Sequence, residues 1–216
     1  MNMKLHILSE SLPFPHLQRN LYICNMKFEM KKKHWIMMIV IMIASAAMRI
    51  IPHPLNFAPI GGMALLGAAY IDKKWLAWIM PVFAFWISDL FLNNIVYAAY
   101  YDGFVLASTP FMFSAAAILI MVLVGSLLLK KIKIKNLILA SLSASLIFFL
   151  VSNFGTWVEG ILYPKTLAGL TAAYVAGLAF FKGTLIGNLV FTGVLFGVWE
   201  LAFKSDRTSH AVAEAS

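Results

Sequence analysis

The sequence predicts an all-α, polytopic membrane helix bundle. It expects about six transmembrane helices, both termini cytoplasmic, and a re-entrant or lid segment before the last helix. Three observations predict this. Hydrophobic residues make up 62% of the 216 and charged residues only 12%, against about half and about a quarter in a soluble domain. The apolar residues gather in runs close to the ~20 needed to cross a ~30 Å hydrocarbon core. Lys and Arg cluster between those runs, as they do in cytoplasmic loops of membrane proteins. With a mean hydropathy of +0.85, the chain cannot hide its apolar surface in one soluble core. Disordered chains, disulfide scaffolds and nucleic-acid binders are excluded on the same ground. The net charge of +8 comes from the loop clusters rather than from a nucleic-acid face. The one cysteine, Cys24, excludes an internal disulfide and a cysteine-based zinc site.

Residues 1–30 read as a disordered or non-native tail, because Met26 opens a second plausible start ahead of Lys31, Lys32 and Lys33. The transmembrane domain is expected over 31–204 and a cytoplasmic tail over 205–216. Within that domain the predicted spans are 35–51, 54–71, 75–92, 110–129, 137–154 and 184–203. Residues 166–181 are apolar but short and rich in alanine, which suits a seventh span, a re-entrant segment or an interfacial lid. Lys31–Lys33 followed by an apolar stretch and Ala44-Ser45-Ala46-Ala47 also resembles a cleavable signal peptide. The run continues to Ile51, which favours retention. With six spans and the N-terminus inside, only Arg49, Lys165 and Lys182 of the 17 Lys and Arg fall outside. Seven spans would export Lys204 and Arg207, so the positive-inside rule prefers six.

Polar residues inside spans are costly and face a cavity or a partner helix. Arg49, Asp89, Asn153 and Asn188 lie near the outer ends of four predicted spans, within roughly 6 Å of one level at about 1.5 Å per residue. One reading is an Arg49–Asp89 ion pair with both asparagines bonding between helices. The other is a pocket open to the outside. Between the first two spans, Pro52, Pro54 and Pro59 make a stiff connector that presents His53, Asn56 and Phe57. Tyr97, Tyr101 and Trp157 sit in the other outer loops, either as an aromatic belt or as stacking partners for a ring-shaped solute. His53 lacks companions at metal-ligand spacing. There is no G-x-S-x-G, H-E-x-x-H or P-loop motif, so no catalytic residue and no cofactor is expected, and this chain has no ATPase motif of its own. Ala64 and Ala68 have the small-xxx-small spacing, which serves contact within the bundle or a sliding face against a partner subunit.

The outer-end pocket, the size and the span count resemble the substrate-binding S components of energy-coupling factor (ECF) vitamin transporters. Arg49-x-x-Pro52-His53-Pro54-x-Asn56-Phe57-x-Pro59 and Tyr163-Pro164-x-Thr166 are also similar to a small uncharacterised bacterial membrane family grouped with them. The resemblance covers about residues 33–203. It implies an inner-membrane protein that binds a vitamin-like small molecule and works with an ECF coupling subunit and ATPases. S components carry an Ala-x-x-x-Ala pattern on the first span; here that spacing falls on the second. The departure opens a solitary mode of action, known for members that handle vitamin B12. A corrinoid is then one candidate solute, with His53 as the outer nitrogen ligand to cobalt. Two other classes stay open: a membrane-embedded enzyme using Asp89 with His53 or Arg49, and a structural membrane subunit.

Overall fold

The structure, a computed structural model, describes residues 30–51 and 56–213, with side chains as far as Phe203. The candidate tail over 1–29, Cys24 and the candidate ligand His53 lie outside the described residues. Among those described there are six α-helices and no strand: α1 (Lys32–Met48), α2 (Ile60–Tyr70), α3 (Lys74–Phe91), α4 (Thr109–Leu128), α5 (Ile134–Glu159) and α6 (Leu167–Ala213). A π-helical turn, Leu92–Val96, extends α3, and a 3₁₀ turn, Ala98–Tyr100, follows it. Four stretches are long and apolar enough to cross a membrane: Lys74–Val96, Thr109–Leu128, Ile134–Glu159 and Leu167–Phe203. Their outward faces carry exposed large apolar side chains such as Phe83, Ile87, Leu123, Leu127, Leu142, Leu146, Val190 and Val194. A surface of that kind belongs against lipid, not water.

Two expectations are corrected. The second predicted span, 54–71, is helical only over the 11 residues of α2, about 16 Å at 1.5 Å per residue. Residues 57–59 ahead of it are not helical. Proline has no N–H to give a helix interior, and Pro59 stands as the N-cap. Asn56 has φ 58, a left-handed backbone that asparagine tolerates and that a helix cannot contain. The second correction concerns residues 166–181, expected as a separate lid, re-entrant segment or span. They form the first turns of α6 and run without interruption to a kink at Phe203, where φ is −119 and ψ 16. Nothing between Phe181 and Thr184 breaks a helix: a single glycine, Gly183, only weakens one. Helical backbone also continues past Phe203 to Ala213, through most of the expected tail.

The short helix α2 is the centre of the bundle, and Gly61 through Gly67 are all buried. Glycine and alanine let neighbouring backbones approach. A Cβ on Gly62 would stand 3.0 Å from the Phe191 and Thr192 backbone of α6, and one on Gly125 of α4 would stand 3.0 Å from the Ala68 Cβ. The small-residue face is therefore spent on packing within the bundle, and Ala64 is fully buried. Around α2 the core is filled by Met38, Ile41 and Met42 of α1, Phe85 of α3, Ile118 and Met121 of α4, Ala140 and Ala144 of α5, and Phe196 and Trp199 of α6.

Candidate functional site

The site begins at the end of α1. Arg49 is its C-cap, in helical backbone, and the side chain crosses to α3. Its Nη1 donates to the Phe85 carbonyl at 3.1 Å and to Ser88 Oγ at 2.6 Å; its Nη2 donates to Asp89 Oδ1 at 3.3 Å. Phe85, Ser88 and Asp89 stand at i, i+3 and i+4, so one helix face receives the whole guanidinium. The Phe85 ring lies beneath it at 3.8 Å from ring centroid to Cζ, a cation–π contact. Asp89 Oδ2 accepts from Asn93 Nδ2 at 2.9 Å. Asn93 belongs to the π turn, whose i+5 bond runs from the Tyr97 N–H to the Leu92 carbonyl at 2.7 Å. Such turns often mark functional sites. Here the turn places Leu92, Asn93 and Val96 on the same cavity as Arg49 and Asp89. Asn94 then fastens the following loop, exchanging two bonds with the Val105 backbone and donating a third to the Leu90 carbonyl.

A second cluster forms where α2 starts. The Gly61 N–H, one of the donors a helix leaves unpaired in its first turn, donates to Asn188 Oδ1 of α6 at 3.1 Å. Asn188 Nδ2 donates to Ser145 Oγ of α5 at 3.0 Å, and Ser145 Oγ donates to the Ser141 carbonyl. Gly61 is required here, since a Cβ would sit 2.5 Å from Asn188 Oδ1. The chain ahead of α2 lies close on Gly187, whose Cβ would meet the Ala58 nitrogen at 3.1 Å.

Both clusters border the first of two abutting cavities. The first, about 520 Å³, is lined by Arg49, Asp89, Asn93, Tyr97, Ser114 and Asn188 among apolar groups that include Phe85 and Met121. The second, about 330 Å³, is lined by Ser152, Asn153, Thr156 and Tyr163, with Phe148, Phe149, Phe180 and Phe181 as aromatic walls. Asn56, Phe148 and Thr184 border both. Asn153 donates to the Phe149 carbonyl at 2.7 Å and packs against Gly177, which has no room for a Cβ beside it.

Of the residues singled out in the sequence, Arg49, Asp89, Tyr97 and Asn188 line the first cavity, Asn153 the second, and Asn56 both. The ion pair and the pocket, read as alternatives, are present together. Three are placed elsewhere. Phe57 packs against Phe191, with the rings tilted and their centroids 5.1 Å apart. Trp157 donates to the Pro164 carbonyl at 3.1 Å and fastens the α5–α6 connection. Tyr101 lies in the loop between α3 and α4, where burial first, and the charges of Asp89 and Glu159 second, push its phenol up, so it stays a neutral donor at physiological pH. Sequence reasoning missed Ser114, Ser152 and Thr184, and it placed Asn93, Thr156 and Tyr163 in the connecting loops without singling them out for the site. Asn93 was within reach, being four residues past Asp89 on a helix; Ser152 and Thr156 share that spacing. Ser114 and Thr184 stand as single hydroxyls in apolar runs and carry no signal. Among the described residues no group of three or more His, Cys, Asp or Glu could hold a metal ion.

Fold and site together define an all-helical, membrane-type bundle with a polar, two-lobed hollow at one end. The chain belongs to a family of unknown function, DUF6580, whose profile matches residues 29–211. No curated protein and no solved structure matches it.

Proposed function

We propose that this chain is a multi-pass protein of the inner membrane that binds a small, vitamin-like solute at its outer face, in the manner of ECF S components. The observation that carries the reading is the pair of abutting cavities, about 520 and 330 Å³, within the size range of small-molecule sites. Their polar groups are spread around the walls, as a binder needs. An enzyme would draw acid and base to within about 3 Å of one reacting centre; here the group beside Asp89 is Arg49, a guanidinium that keeps its proton and makes a poor acid–base partner.

The proposed topology has six crossings with both termini inside. The second crossing combines α2 with its non-helical approach, because irregular backbone at membrane depth is tolerated where it lines a cavity. Residues 56–58 border that cavity or pack beside it. Release inside would draw on partner ATPases and a coupling subunit, or on a tilt of the whole protein.

Two experiments test this reading. Cysteines at Asp102 and Lys131, labelled on intact cells, should react at 102 and stay silent at 131; the reverse pattern overturns the topology. Purified protein should gain thermal stability from at least one member of a vitamin panel, and Thr184→Trp, which fills the border between the lobes, should remove the shift. Cobinamide belongs in the panel, where a changed visible spectrum lost in His53→Ala marks ligation. A blank panel, or a shift indifferent to Thr184→Trp, overturns solute binding at this site.

A further inference from the structure

We infer that the solute is net neutral and presents an amide-type edge, a carbonyl beside an N–H, to the Arg49–Asp89 pair; this rests on the solute-binding reading above. The first argument is charge. Among the described residues, Arg49 and Asp89 are the only charged side chains lining the first cavity, and none lines the second. Their side chains are each 14% exposed. An anion drawn to Arg49 would lie beside the Asp89 carboxylate, and a cation drawn to Asp89 beside the guanidinium. A solute with net charge would thus carry its charge into a poorly solvated site whose own charges already cancel.

The second argument is hydrogen-bond capacity. Arg49 has five N–H donors. Three are used, on the Phe85 carbonyl, Ser88 Oγ and Asp89 Oδ1; its Nε–H and second Nη2–H have no partner among the described residues. Each Asp89 oxygen accepts one bond, from Arg49 and from Asn93, and a carboxylate accepts about four. The pair touches by one contact rather than fork to fork. Arg49 thus keeps spare donors and Asp89 spare acceptor capacity 3.3 Å apart on the wall of one cavity, with the guanidinium lying over the Phe85 ring. A lactam, ureide or carboxamide edge has the complementary order: its carbonyl accepts from Arg49 and its N–H donates to Asp89. A zwitterion also matches in charge, but both of its full charges would have to be desolvated.

The third argument is the second lobe. Four phenylalanines and the hydroxyl and amide groups of Ser152, Asn153, Thr156 and Tyr163 suit an uncharged ring with a few polar substituents. The solute class is thus a neutral, amide-edged ring or ring pair extending from the first lobe into the second.

The test uses the wild-type protein in nanodiscs and reads binding by thermal stabilisation. Uridine, guanosine and lumichrome are the neutral amide-edged probes. In 3-methyluridine and 1-methylguanosine a methyl replaces the N–H. Uridine 5′-phosphate, tyramine and tryptophan supply an anion, a cation and a zwitterion. At least one neutral probe should bind, and its methylated counterpart should bind on the order of a hundredfold more weakly, because a site built to accept an N–H discriminates strongly against its loss. No variant has to fold for that comparison. Equal binding of the methylated probe, or binding by a charged or zwitterionic probe alone, overturns the amide edge and leaves solute binding standing. No binding by any probe overturns the amide edge; only a blank vitamin panel as well removes the wider reading.

Discussion

The two ends of the bundle hold polar groups in opposite ways. At the Arg49–Asp89 end, the charged and amide side chains surround open space, and several face it with capacity unspent. At the Lys31–Lys33 end, polar groups are packed against rings. The Tyr70 hydroxyl donates to Glu200, linking the end of α2 to α6. The His34 ring meets Phe203 edge-on at 4.3 Å, and Trp199 stands 4.9 Å from Tyr70. Trp199, with no exposed surface, has its indole N–H buried without a partner among the described residues, a cost accepted where close packing matters more than satisfying one donor. One end is thus arranged around a vacancy and the other filled. The short helix α2 joins them, held by Asn188 at its start and by Glu200 at its finish, both from α6.

The largest expected effect is at the hollow end. Gly61→Leu puts a Cβ 2.5 Å from Asn188 Oδ1, and the asparagine, 2% exposed, can give way only by breaking its bonds to Gly61 and Ser145. Overpacking and two lost buried hydrogen bonds together should cost about 3–5 kcal/mol, read as loss of monodisperse protein on size exclusion. Gly197 is the control, since a Cβ there meets nothing within 4 Å, and Gly197→Ala should leave the profile unchanged. A folded Gly61→Leu would show that α2 is not fixed at its start.

Next come the charges. Arg49→Gln and Asp89→Asn each strand a largely buried partner, at about 2–4 kcal/mol. The double variant should recover part of that loss in thermal unfolding. Additive losses would mean that the two charges act separately, and the hollow end would lose its central pair.

How much of this was legible before the structure follows from the same contrast. Spans three and four appear within a residue or so of their predicted ends, because long apolar runs bounded by Lys and Pro leave little choice. Span two failed because glycine and alanine read as apolar filler, while Pro59 and the left-handed Asn56 decide where the helix can begin. The join of 166–181 to the last helix was hidden by Lys182, which reads as a boundary although a helix carries it without difficulty. Arg49, Asp89, Asn153 and Asn188, which line the cavities, stand out in sequence because each is a polar group in an apolar run. The phenylalanines that wall the second lobe were invisible for the opposite reason: nothing in sequence separates them from Phe residues facing lipid. The filled end went unread altogether, because Tyr70 and Glu200 lie at the edges of their runs and gain meaning only when α2 and α6 are brought together.

The smallest effect is expected there, and it sharpens the comparison most. Tyr70→Phe keeps the ring and its tilted contacts with Trp199 and Phe196 and removes only the hydroxyl that donates to Glu200. Glu200 is not fully buried, so water can take over part of the lost bond, and the change should be about 1 kcal/mol in thermal unfolding. If the filled end is purely structural, solute affinity at the other end should match wild type within about twofold, since distant sites without shared partners act independently. The rival expectation comes from α2 itself. A rigid helix of 11 residues, fastened to α6 at both ends, would carry a loosened finish to its start, where Asn188 borders the cavity. A tenfold change in affinity on Tyr70→Phe, with stability barely altered, would show that the two ends are coupled through α2, and the division into a hollow end and an independent filled end would fall.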